Sequence, residues 1–187
     1  MPRRAPIAGR RTAILLAAAN AVLGSAGPIA ISLGGLAGEY LLTSSKTLAT
    51  MPVTGFNIGT ALATLPSARL IRLVGHRRGF MAGTMLTGLG GVTAALALFA
   101  NTFWLFVLGL MLIGGGNAFV QQFRFAAADY APPAFKARAI SFVLAGGIVT
   151  AILGPQIVIF TRELFAPVMF AGAFASLVGL AVIGAVI

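Results

Sequence analysis

Long apolar runs separated by short polar gaps cover this chain from residue 12 onward. A bilayer core about 30 Å thick is crossed by roughly 20 apolar residues in helical form. Six windows have that length: 12–36, 47–65, 79–100, 103–130, 139–160 and 166–187. Pro66 is expected to stop the second window, because a residue before proline is pushed out of the α region, and Pro132-Pro133 to end the fourth in the same way. Asn101-Thr102 reads as a tight outer turn. The expected fold is an all-α integral membrane bundle of six helices, forming one unit over 1–187. Three helices that start inside followed by three that start outside make the pattern of a 3+3 inverted repeat.

Charge orients the bundle. Arg3, Arg4, Arg10 and Arg11 precede the first window, Arg69, Arg72, Arg77 and Arg78 fill the second gap, and Arg124, Lys136 and Arg138 mark the fourth. The gaps between hold one base with one acid (Glu39 with Lys46, Arg162 with Glu163) or, around Asn101, no charge. Basic loops are retained on the cytoplasmic side. With Arg124 assigned there, every base except Lys46 and Arg162 lies inside, so the N-terminus is expected in the cytoplasm of a multi-pass inner (plasma) membrane protein. Arg10-Arg11 before small residues at Ser25-Ala26-Gly27 imitates a twin-arginine leader. The apolar run there is too long for one, and it counts as the first helix.

Composition points the same way. With 59% hydrophobic residues, 9% charged and a mean hydropathy of +1.01, too little polar surface exists to coat a water-soluble fold, and the bilayer is the solvent. The net charge of +10 therefore reflects topology and anionic headgroups, not nucleic acid. No cysteine is present, His76 is alone, and the three acids are scattered over separate gaps. No catalytic triad, metal cluster or phosphate loop can be assembled, so neither an enzyme nor a cofactor is expected.

Glycines inside the windows suit close helix packing, and Gly27-Pro28 and Gly154-Pro155 are expected to kink helices one and five, because proline removes a backbone donor. Polar residues within the windows are the functional lead, since each is costly in hydrocarbon without a partner or water. Asn117, Gln121 and Arg124 stand at i, i+4 and i+7, within roughly 60° of one another on a helix. Thr50, Thr54, Asn57 and Thr64 make a second stripe, and Asn20 and Gln156 stand alone. Blander readings apply to each: threonine is satisfied by its own helix, Asn20 and Gln156 bond between helices, and Arg124 snorkels to the interface.

The stretch Gly114-Gly115-Gly116-Asn117, then Ala127-Ala128-Asp129-Tyr130-Ala131-Pro132-Pro133, then Arg138-Ala139, resembles the fourth helix, inner loop and fifth-helix start of the major facilitator superfamily of secondary transporters. Leu70 through Gly75 to Arg77-Arg78 looks like that family's signature loop, and Gly154-Pro155 is similar to its fifth-helix Gly-Pro. Departures accompany the match. Arg72 and Leu73 stand where the signature loop carries Asp-Arg, and Ala68 replaces its first glycine. Leu108 occupies the place of a helix-four arginine of drug/proton antiporters, Thr150 that of a glycine, and Val158-Ile159 replace a closing pair.

The resemblance implies the N-terminal half of a twelve-helix permease, here a fragment or truncated form, that moves a small organic solute by alternating access. Its partners would be the bilayer, that solute, a coupling ion, and a second six-helix half or another copy of this one. Substrate-path candidates are Asn20, Asn57, Asn117, Gln121, Arg124 and Gln156. Inner-gate candidates are Arg72, Gly75, Arg77, Arg78, Asp129 and Arg138, with Asp129 as the inner acid available to pair with Arg72, Arg77 or Arg78 in a latch. A plain solvated basic loop competes with the latch. The rival function is a non-transporting six-helix scaffold or assembly partner.

Overall fold

The computed structural model describes residues 5–42 and 46–186. Among them every regular element is helical: α1 (Ala5–Leu23), α2 (Ala26–Leu41), α3 (Met51–Val74), α4 (His76–Phe99), α5 (Phe103–Val120), α6 (Phe123–Asp129), α7 (Lys136–Thr161) and α8 (Ala171–Val186). Single 3-10 turns at Lys46–Leu48 and Pro133–Phe135 complete the path. Arg3 and Arg4 lie outside the described residues.

Three of the expected windows are corrected. The first is two helices, broken at Gly24-Ser25, one turn ahead of the expected Gly27-Pro28 kink. The displacement has a local cause: Pro28 has no N–H, and its ring faces the carbonyl four residues back, at Gly24. That carbonyl instead accepts the Gly27 N–H in a tightened turn of 3.1 Å. The second window does not end at Pro66, because α3 runs through it to Val74. Proline inside a span is tolerated where the freed carbonyl is relieved by local adjustment, and the helix stops only at Gly75, whose φ of +86° suits glycine and whose N–H caps the Ile71 carbonyl at 2.9 Å. The third correction is a break at Gln121-Gln122, where Gln122 N–H turns back to Phe119 at 3.0 Å and separates α5 from α6. Pro155, by contrast, sits inside a continuous α7.

Four stretches are long and apolar enough to cross a membrane: Arg11–Leu41, His76–Phe99, Phe103–Asp129 and Pro133–Thr161. α3 has the length, with 24 residues, but Thr54, Asn57, Thr60 and Thr64 dilute its apolar character. α8 is apolar and shorter, with 16 residues. The outer surface of the bundle is apolar, with Leu65 at 71%, Ile148 at 68% and Phe160 at 77% exposure, a pattern suited to hydrocarbon and not to water.

Side-chain contacts define two ends. Tyr40 meets Phe170 and Phe99 meets Phe165 at one, while His76 meets Tyr130 at the other, and successive segments run between them. Near the first end, the core is built from α2, α4, α5 and α8 around Phe106 and Phe174, whose rings meet edge to face at 5.1 Å. Near the second, Ala13, Leu23, Val120, Phe123, Ala139 and Val143 pack together, with Phe80 edge-on to Phe123 at 4.5 Å. α3 and α5 touch backbone to backbone: a Cβ on Gly59 would strike the Met111 carbonyl, and one on Gly114 the Phe56 carbonyl. Thr60 fastens this contact by donating to the Gly114 carbonyl at 3.0 Å.

Candidate functional site

A cavity of about 240 Å³ opens where both helix breaks converge. The break after α1 brings Asn20 and Gly24 to its wall, the break after α5 brings Asn117, Gln121 and Arg124, and α7 adds Val143, Gly147 and Thr150. Four of the expected path residues, Asn20, Asn117, Gln121 and Arg124, therefore share one cavity. The helical arithmetic that aligned the last three does not survive the turn at 121–122, yet the turn keeps them on one wall.

Two polar groups of the wall are structural as well. Asn20 Nδ2 donates to the Val143 carbonyl at 2.8 Å. Thr150 Oγ1 donates to the Asn20 carbonyl at 3.0 Å, with the Gly146 carbonyl at 3.2 Å sharing the same proton. These bonds join α1 to α7 where a Cβ on Gly146 would strike the Ala17 carbonyl, so the small residue permits the approach and the hydroxyl holds it.

The other three are available to a ligand. Among the described residues, the side chains of Asn117, Gln121 and Arg124 make no hydrogen bond within the protein, while every buried side-chain nitrogen or oxygen is satisfied. The Arg124 guanidinium lies over the Phe125 ring, 5.0 Å from its centre, and Asn117 Oδ1 looks toward α2 at Gly27. Two amides with both donors and acceptors and one permanent cation can hydrogen-bond carbonyl or anionic groups.

The remaining candidates lie elsewhere. Asn57 is exposed on α3 and donates to its own Val53 carbonyl at 2.9 Å. Gln156 is exposed on α7. Thr54 and Thr64 bond back to their own helix, at 3.4 and 2.7 Å, and Thr50 is the N-cap of α3. At the C-terminal end of α6, Asp129 Oδ2 lies 3.8 Å from His76 Nε2, and the Tyr130 hydroxyl lies 3.4 Å from His76 Nδ1. The acid expected to meet Arg72, Arg77 or Arg78 thus stands beside His76 in this conformation. Arg72, Arg78 and Arg138 are exposed. Gly75 alone forms the loop between α3 and α4.

Thr150 and Thr60 were not distinguishable in the sequence from threonines satisfied within their own helices. Their partners lie 130 and 54 positions away, and only a glycine nearby on the facing helix hints at such a contact.

The comparisons with known proteins agree with this architecture. Residues 12–187 match the family model described as Major Facilitator Superfamily. Over 169 residues, 90% of this chain, the sequence is 47% identical to the riboflavin transporter RfnT of Brucella anthropi, of which the match covers 42%. It is 31% identical over 138 residues, 73% of the chain, to the uncharacterized MFS-type transporter YdeG of Bacillus subtilis, covering 32% of that protein. Its identity to the uncharacterized MFS-type transporter YddS of the same organism is 30% over 128 residues, 68% of this chain and 29% of that protein. The chain spans less than half the length of each of these relatives. Helices broken beside a shared polar cavity, an apolar outer surface and a family match over nearly every residue together place this chain in the Major Facilitator Superfamily of membrane transporters.

Proposed function

We propose that this chain is the N-terminal, six-crossing half of a secondary transporter that moves a flavin-like solute, riboflavin in the first instance, across the cytoplasmic membrane by alternating access. The observation that carries this reading is the cavity in which Asn20, Asn117, Gln121, Arg124 and Thr150 meet between two broken helices. The 47% identity to a riboflavin transporter supports the substrate. The pyrimidine edge of the flavin ring presents carbonyl acceptors on either side of an imino donor, which the amides of Asn117 and Gln121 can match, and Arg124 favours the most electron-rich carbonyl. Arg124 keeps its charge at every relevant pH, so it holds the solute and does not itself relay a coupling proton.

The cavity is too small and too open to enclose such a ring alone, and a second six-helix half supplies the opposite wall in this reading. Asn57 and Gln156, exposed on α3 and α7, would then face that half, since polar groups facing lipid are costly. The N-terminus lies in the cytoplasm, with Gly75 as the inner hinge and His76 with Asp129 as its latch.

The test is uptake. Cells of a riboflavin-auxotrophic bacterium that express the protein from its complete reading frame should accumulate labelled riboflavin saturably, and the purified protein should quench flavin fluorescence on binding. Absence of both uptake and binding sinks the substrate. Binding without uptake would favour a non-transporting receptor or scaffold.

A further inference from the structure

A second cavity, of about 420 Å³, runs along α1 from Thr12 to Leu23, between α1, α4, α6 and the end of α8. Its walls are mostly apolar, including Leu15, Leu16, Phe80 and Met81, and its polar lining includes Arg77, His76 and Tyr130. It opens outward at Leu15, which is 43% exposed, and Met81, 40%. An occupant of this cavity is therefore apolar along most of its length, reaches the bilayer side of the bundle, and carries its polar part at one end.

The charge at that end is positive and poorly compensated. Arg77 and Arg78 both lie in the first turn of α4, which has no acid, and the positive end of the helix dipole disfavours cations there. Asp129 is the acid nearest the cavity, 3.8 Å from His76 Nε2, and it leaves Arg77 with no ion-pair partner among the described residues. Glu39 and Glu163 belong to the other end of the bundle. An anion seated against Arg77 relieves both the repulsion and the dipole, and the apolar walls require that this anion come with an acyl chain.

On the reading that the bundle spans a bilayer, we propose that this cavity binds one anionic phospholipid of the inner leaflet, its phosphate against Arg77 and its upper acyl chain along Leu15 and Met81. The site is separate from the polar cavity of the transport path, since neither Arg77 nor Met81 lines that one.

The experiment uses the protein purified from its complete reading frame, with phosphatidylglycerol, phosphatidylcholine and inorganic phosphate added separately. Lipid retention is read by native mass spectrometry and stabilisation by the unfolding midpoint. We expect one phosphatidylglycerol to be retained and to raise the midpoint more than phosphatidylcholine does. Arg77→Gln should weaken that retention by on the order of fivefold. Arg78→Gln, which removes the same charge outside the cavity, should leave it unchanged, while Met81→Trp should weaken it by crowding the acyl path. Both Arg77 and Met81 are exposed enough for these variants to fold, which the lipid-free midpoint checks. Equal losses in the two arginine variants would mean diffuse attraction to a basic face and would overturn the site. Equal retention of phosphatidylcholine would leave only an apolar crevice, and equal stabilisation by inorganic phosphate would leave only a soluble-anion site; either overturns the lipid. None of these readouts depends on transport, so failure here and failure of the transport reading are separable.

Discussion

Thr150 donates its hydroxyl proton to the Asn20 backbone carbonyl across 3.0 Å, joining α7 to α1 at the wall of the polar cavity. The same Asn20 donates from its side chain to the Val143 carbonyl, two turns away on the same face of α7. If the proposed path is right, path and scaffold share residues here, and a helix that moves in a transport cycle moves with this clamp intact or by breaking it.

Replacing Thr150 with Val keeps the shape and removes the donor. Interhelical hydrogen bonds in membranes contribute about 0.6 kcal/mol and at most about 1.7 kcal/mol. Thr150→Val should therefore lower the unfolding midpoint in detergent slightly, while Thr150→Ser should restore it. An unchanged midpoint in the Val variant would mean that helix packing alone holds α1 to α7.

Arg124 should behave as a ligand group. A hydrogen bond from a charged donor contributes about 1.5–3 kcal/mol, so Arg124→Ala should lose roughly tenfold to hundredfold in flavin affinity and most of the uptake. Arg124→Lys should keep uptake with weaker affinity, because a point charge replaces the planar fork. Normal transport by Arg124→Ala would make the residue an interface anchor.

The glycines are not equivalent. A Cβ on Gly114 would strike the Phe56 carbonyl, whereas one on Gly35 would meet nothing within 4 Å. Overpacking costs about 1–3 kcal/mol, so Gly114→Ala should reduce the yield of monodisperse protein in size-exclusion chromatography. Gly35→Ala should leave the yield unchanged, and a matching loss in both variants would contradict the α3–α5 contact.

Orientation can be read with two cysteines, since the chain has none of its own. In intact cells an impermeant thiol reagent should label Lys46→Cys and spare Arg77→Cys. Labelling at 77 but not 46 would reverse the topology.

The His76–Asp129 pair predicts a change in conformational balance. Asp129→Asn and His76→Gln should each shift the accessibility of inner-facing cysteines and alter the transport rate by a similar factor, because they remove the same contact. If both variants transport and label like the parent protein, the inner loop is only a solvated basic segment.

Apolar windows, basic gaps and the spacing of Asn117, Gln121 and Arg124 were legible in the sequence because each depends on residues near one another along the chain: hydrocarbon thickness sets the run length, and helical pitch sets the face. The same locality explains the errors. Pro28 announced a distortion, but its ring acts on the carbonyl one turn back, so the break falls at Gly24-Ser25. Pro66 looked like a stop, but the helix accommodates it locally and α3 runs on to Val74, ending at Gly75. What faced what was decided only in three dimensions. Asn20 and Thr150 stand 130 positions apart and meet because Gly146 lets two backbones approach. Asn57 and Gln156, equally polar on paper, lie off the cavity because the packing of α3 on α5 and of α7 on α1 turns their faces outward. Polarity within a span is written locally, but its direction is set by the close approach of helices whose contact residues are distant in the chain.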